Sequence, residues 1–148
     1  MDIDNKFYLA CKTGNLKEAK KILSKNPNID ISADDEYAFR FACINGHLEL
    51  AQWLLSVKPD IDISAENNYA FRYSCEYGHL KVALWLQSLK PYLYVIKNIT
   101  DDKIEFYIRT NEEAKWENMK YGLWLQDINT NILSALPIDI SKTILTFC

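Results

Sequence analysis

Most of what marks an enzyme or a membrane protein is missing from this chain of 148 residues. No apolar run approaches the ~20 residues that a bilayer-crossing helix needs. The opening MDIDNKFY has neither a basic start nor an apolar core, so it does not read as a secretory signal. Histidine is confined to two positions, His47 and His79, so a Ser-His-Asp or Cys-His nucleophilic site would have to use one of them. There is no phosphate-binding loop and no G-x-G-x-x-G run. Positive charge is not in excess either. The net charge of −3 gives bulk electrostatics no pull toward nucleic acid or an anionic membrane. What is present, 49% hydrophobic and 25% charged residues, belongs to a folded chain of about one domain.

The chain then repeats itself. Residues 30–61 and 62–93 share 18 identities over 32 positions. The same offset aligns Phe7, Phe39 and Phe71; Cys11, Cys43 and Cys75; Gly14, Gly46 and Gly78; and Pro27, Pro59 and Pro91. A fixed period of this size marks a repeat architecture. Three units follow, at about 5–36, 37–68 and 69–100.

Each unit reads as two short helices. Ala38, Phe39, Ala42 and Cys43 form one apolar helical face, with Asp35 (Asn67 in the next unit) as the expected N-cap. Gly46 ends that helix. Leu48, Ala51, Leu54 and Leu55 build a second face, which stops before Lys58-Pro59. The link PDIDISAEN (Pro59–Asn67) alternates Ile with Asp and reads as an extended finger with a turn. Such a helix pair cannot bury its apolar residues alone, so the units must stack, and the end units should differ from the middle one. Lys21 indeed stands where Trp53 and Trp85 recur, and Gln87 where Leu23 and Leu55 stand.

The recurring cysteines lie too far apart in such a stack, ~8–10 Å between helices, to form disulfides. They read as small buried residues of a reduced, intracellular protein. Cys43 with His47, and Cys75 with His79, have a zinc-like spacing. Gly46 and Gly78 interrupt the helix within each pair, however, and zinc wants four ligands in one place. No metal and no cofactor are expected. Arg40 and Arg72 are either an exposed basic pair or bridges to finger carboxylates such as Asp34 and Glu66; Trp53 and Trp85 are either interface anchors or packing between units.

NGHLELAQWLL (Asn45–Leu55) and YGHLKVALWLQ (Tyr77–Gln87) resemble the N-G-H-L-E-V-V-x-L-L-L core of the ankyrin repeat family, and TGNLKEAKKIL (Thr13–Leu23) is a weaker copy. The resemblance implies an all-α solenoid of helix-turn-helix units with short β-finger loops. Two features depart from the family. Tyr-Ala-Phe-Arg stands at 37–40 and 69–72 in place of T-P-L-H, and the period is 32. This dialect, in a chain rich in Lys, Ile and Asn, is similar to ankyrin proteins encoded by giant DNA viruses of amoebae (Mimivirus-like).

The last third differs. YLYVIKNI and KIEFYIRT flank Thr100-Asp101-Asp102 and read as strand, turn, strand. Thr110 with Glu113 makes a capping box for a helix to about Gln126, and residues 136–148 place Ile140, Ile144 and Leu145 on one face of a last helix. Residues 101–148 read as a cap on the open end of the stack. In the other reading, L-P-x-D-I at Leu136, Pro137 and Ile140 resembles the F-box-like segment by which poxviral ankyrin proteins dock on the Skp-type adaptor of a cullin ubiquitin ligase.

No catalytic set emerges, and the chain is not expected to be an enzyme. By resemblance, a partner protein meets the concave side at Asp34, Glu36, Ile44 and Asn45, then Glu66, Asn68, Glu76 and Tyr77. That patch is acidic with apolar residues interspersed, so the expected partner offers Lys or Arg around an apolar contact. A monomer in the cytoplasm, host-cell cytoplasm if viral, completes the reading.

Overall fold

The computed structural model describes residues 1–101 and 103–115. Six helices run in three antiparallel pairs: α1 (Ile3–Thr13) with α2 (Leu16–Lys25), α3 (Ala33–Ile44) with α4 (Leu48–Val57), and α5 (Ala65–Glu76) with α6 (Leu80–Leu89). A hairpin of β1 (Tyr94–Ile99) and β2 (Ile104–Ile108) follows. The chain divides into two compact units, Met1–Tyr107 and Ile108–Cys148.

The residues that recur every 32 positions make the core. Phe7, Phe39 and Phe71, Cys11, Cys43 and Cys75, and Ala19, Ala51 and Ala83 are all at most 2% exposed. Stacking supplies this burial, because the first helices pack in the series α1, α3, α5, with α3 covered on both sides. Each first helix stops in the same way. The Gly46 amide donates to the Cys43 carbonyl (3.0 Å) and the His47 amide to the Ala42 carbonyl (2.9 Å). That closing pattern needs a left-handed residue, and Gly46 supplies it at φ 78°.

The starts of α3 and α5 depart from expectation. Asp34, Asp35 and Glu36 have φ of 52–63°, as do Glu66, Asn67 and Asn68 at 54–60°. Asp35 is therefore part of a left-handed turn and not an N-cap, which needs extended backbone. Asp and Asn tolerate this conformation better than most residues. The arginines then satisfy the turn. Arg40 Nε and Nη2 donate to the carbonyls of Asp35 (2.7 Å) and Asp34 (2.9 Å), and Arg72 Nη1 to that of Asn67 (3.3 Å). Both arginines bind the backbone of the turn that opens their own helix, neither free for a ligand nor bridged to carboxylates between layers. The fingers are built of turns, with no paired strand among the described residues.

The hairpin covers the third repeat. Tyr94 stacks on Phe71 at 4.1 Å and 7°, while Phe106 meets the same ring edge-on at 5.7 Å. Gln87 Nε2 reaches the Tyr94 carbonyl at 3.4 Å. A polar residue replaces leucine there because the neighbour is hairpin backbone, not another helix pair. At the opposite end Lys21 is exposed and lies 3.7 Å from Glu18. Beyond the hairpin, Thr110 and Glu113 form the reciprocal capping box, at 2.8 and 3.3 Å, and open a helix at residue 111. The expected continuation to Gln126 and the 136–148 segment lie outside the described residues.

Candidate protein-binding face

Along the first helices runs a feature the period alone does not reveal. Tyr37 and Phe41 are one helical turn apart on α3, and their rings stack at 4.1 Å. Tyr69 and Tyr73 repeat the arrangement on α5 at 4.3 Å, and Tyr77 extends it at 5.6 Å from Tyr73. Between layers, Tyr8 of α1 meets Tyr37 edge-on at 5.6 Å, and Phe41 faces Tyr69 at 6.3 Å. Six rings thus form one stripe across all three repeats. Five are half-buried, and Tyr77, at the end, is 60% exposed.

Cations of the same chain cover parts of the stripe. Arg40 lies 5.0 Å over Tyr69, Arg72 5.3 Å over Tyr73, and Lys12 5.6 Å over Phe41. At the first layer the stripe borders a cavity of about 440 Å³, in the range of small ligand sites. Tyr8, Tyr37 and Asp34 are among the residues that line it.

The residues expected at the partner face divide by burial. Asp34, Asn45, Glu66, Glu76 and Tyr77 are exposed. Asn45 turns its amide back to the Phe41 carbonyl (2.8 Å), and Asn68 is half-buried, accepting from the Tyr94 hydroxyl (3.0 Å). Glu36 and Ile44 are each 7% exposed, so neither is open to a partner. The left-handed turn points Glu36 inward, where Oε1 accepts from the Asp62 amide of the next finger (3.1 Å). Ile44 closes the last turn of the helix that is flanked on both sides. Leu136, Pro137 and Ile140 lie outside the described residues.

The cysteines and histidines serve the stack. Burial pushes the Cys11 and Cys75 thiols up to about 12, and that of Cys43 up as well. His47 Nε2 lies 3.0 Å from the Lys12 carbonyl of the preceding repeat, so it joins two layers. Among the described residues no three His, Cys, Asp or Glu side chains are grouped to hold a metal ion. Nor is any helix there long and apolar enough to cross a membrane. Trp85 meets Phe39 at 6.1 Å, a packing contact between repeats. Trp53 is half-buried and lines a shallow apolar groove with Leu23, Ile31 and Val57.

No curated protein matches the chain. Among solved structures it is similar to the X-ray structure of an ankyrin repeat family protein from Legionella pneumophila, with 34% identity and a TM-score of 0.53. The match covers 55% of this chain and 26% of that one, so this chain spans about a quarter of its relative's length. The family description "Ankyrin repeats (3 copies)" matches residues 7–98, and the chain belongs to the ankyrin repeat family.

Proposed function

We propose that the chain is a non-enzymatic recognition module that binds a partner protein across the aromatic stripe and the exposed acidic residues beside it. The observation that carries this reading is the stripe itself. Half-exposed tyrosines on a preformed surface supply large contact area at small entropic cost. The partner would present an apolar contact flanked by Lys or Arg, to suit the rings together with Asp34, Glu66 and Glu76. On this reading the protein works as a monomer in the cytoplasm. An origin in a giant DNA virus rests on sequence dialect alone.

The test is binding of a captured and then purified partner by calorimetry. Tyr73→Ser with Tyr77→Ser should weaken it at least about 10-fold, as loss of aromatic anchors does, while far-UV circular dichroism stays unchanged. Undiminished binding by a folded variant would refute the stripe as the recognition surface. A second reading, a ligase adaptor docking through Leu136, Pro137 and Ile140, draws on the L-P-x-D-I pattern. It requires a Skp-type adaptor to co-purify with the full chain and not with residues 1–134.

A further inference from the structure

The second and third repeats each carry an arginine over the stripe, and the first repeat lacks one. Tyr8, Arg40 and Arg72 occupy the same place in successive repeats, 32 residues apart, as do Tyr37 and Tyr69. Arg40 lays its guanidinium 5.0 Å over Tyr69 of the next repeat. At the matching place beside Tyr37 the chain offers the ring of Tyr8, at 5.6 Å and 62°, and the cavity of about 440 Å³. The two rings meet edge to face, and Leu9 adds an apolar side chain to the lining of the slot beside them.

The charge around this slot is negative. Burial first, then the carboxylates of Asp4, Asp34, Asp30 and Asp2, raise the Tyr8 hydroxyl above its ordinary value, so four acids act on one side chain. Asp2 caps α1 through the Asn5 amide (2.8 Å), and Asp30 holds the Ser32 amide (3.0 Å). Asp4 and Asp34 have no cation within ion-pair distance among the described residues. Lys12 is the one basic side chain in the lining, and its ammonium is turned over Phe41.

We propose that this cavity takes a Lys or Arg side chain of the protein partner, its stem against the exposed faces of Tyr8 and Tyr37 and its charge facing Asp34. The proposal rests on the reading of the stripe as a partner-binding face. It adds the anchor residue. Aromatic faces and carboxylates together favour an alkyl stem that ends in a cation.

The probes are N-acetyl-lysine N-methylamide, its arginine counterpart and the norleucine counterpart, titrated into the ¹⁵N-labelled full chain. Saturable shifts at Tyr8, Leu9, Asp34 and Tyr37 are expected with the cationic probes. The norleucine probe should bind at least about 5-fold more weakly, roughly the effect of one contact-distance charge pair in water. Asp34→Asn, at an exposed position, should remove most of that preference. Tyr8→Arg should supply the missing guanidinium and abolish probe binding. Equal or tighter binding of norleucine would make the cavity an apolar pocket and overturn the proposal, as would the absence of saturable shifts. Tyr73→Ser with Tyr77→Ser leaves the cavity intact, which separates the two readings. Partner loss in that variant without lysine preference in the parent overturns the cavity alone. Lysine preference without partner loss overturns the stripe alone.

Discussion

Gly46 and Gly78 hold nearly the same backbone conformation, φ 78° and 74°, in very different surroundings. A Cβ added at Gly46 would lie 2.6 Å from Nδ1 of His79, in the next repeat. At Gly78 it would meet nothing within 4 Å. Replacing each by alanine therefore separates the cost of the conformation from the cost of contact between layers. A left-handed alanine costs about 1–2 kcal/mol, offset by about 0.4–1 kcal/mol because alanine also restricts the unfolded chain. Gly78→Ala should thus destabilise by about 1 kcal/mol. At Gly46 the imidazole must move as well, and overpacking of this kind costs about 1–3 kcal/mol. Gly46→Ala should total about 2–4 kcal/mol. Urea unfolding followed by far-UV circular dichroism gives both values, provided the slopes agree with the parent's. Adding His79→Ala to Gly46→Ala should show coupling of about 1–2 kcal/mol, since the two groups collide. Equal losses at the two glycines, or no coupling, would refute the view that the GHL junctions join one repeat to the next.

Alkali should destabilise the fold through its thiols. An exposed thiol ionises near 8.5, whereas burial holds Cys11 and Cys75 protonated to about 12. The folded state thus binds more protons than the unfolded state between those values, and stability falls as pH rises through that window. By pH 10 the loss is about 2 kcal/mol for Cys11, at about 1.4 kcal/mol per pH unit above 8.5, read from urea midpoints at pH 7 and 10, and Cys11→Ala should show a shallower decline. A pH-independent midpoint up to 10 would contradict the burial. Glu36 supplies the other test. Its Oε1 holds the Asp62 amide while buried Oε2 has no partner among the described residues. Glu36→Ala should therefore cost about 1–3 kcal/mol, the range for orphaning a buried donor. Glu36→Gln, which keeps an acceptor without the charge, should lose less than half as much. An alanine variant as stable as the parent would remove Glu36 from the joint between fingers.

The sequence made the stacked helix pairs legible because stacking demands the same residue at the same place. Phe7, Phe39 and Phe71 could not all be buried unless each unit met its neighbour identically, so the period itself encoded the fold. Gln87 was readable as an end effect for the same reason. The left-handed turns were not legible. Asp34-Asp35-Glu36 looks like a helix start rich in capping residues, and only the Arg40 bonds to its carbonyls reveal the reversed conformation. Glu36 and Ile44 read as surface in the sequence because charge and sequence register say nothing about which way such a turn points. The ring stripe left a signal, aromatics one helical turn apart at 37 and 41 and again at 69 and 73. The stripe escapes the 32-residue period because its first ring, Tyr8, recurs as arginine.

That escape has a physical basis. In this solenoid the buried phenylalanines, cysteines and second-helix alanines recur strictly, since interior packing tolerates little change in shape. The positions that vary along the stack, Tyr8 with Arg40 and Arg72, or Thr13 with Asn45 and Tyr77, all keep some solvent exposure. A partner can only read what varies there, because an invariant face would look the same in every register and fix none. The Lys12, Ile44 and Glu76 series shows the limit of the rule. Its outer members are exposed, while Ile44, in the layer covered from both sides, is buried. Departure from the period therefore marks a recognition residue only where the stack leaves that residue uncovered. By that criterion the proposed face would set its specificity at Tyr8 and Tyr77, at opposite ends of the stripe.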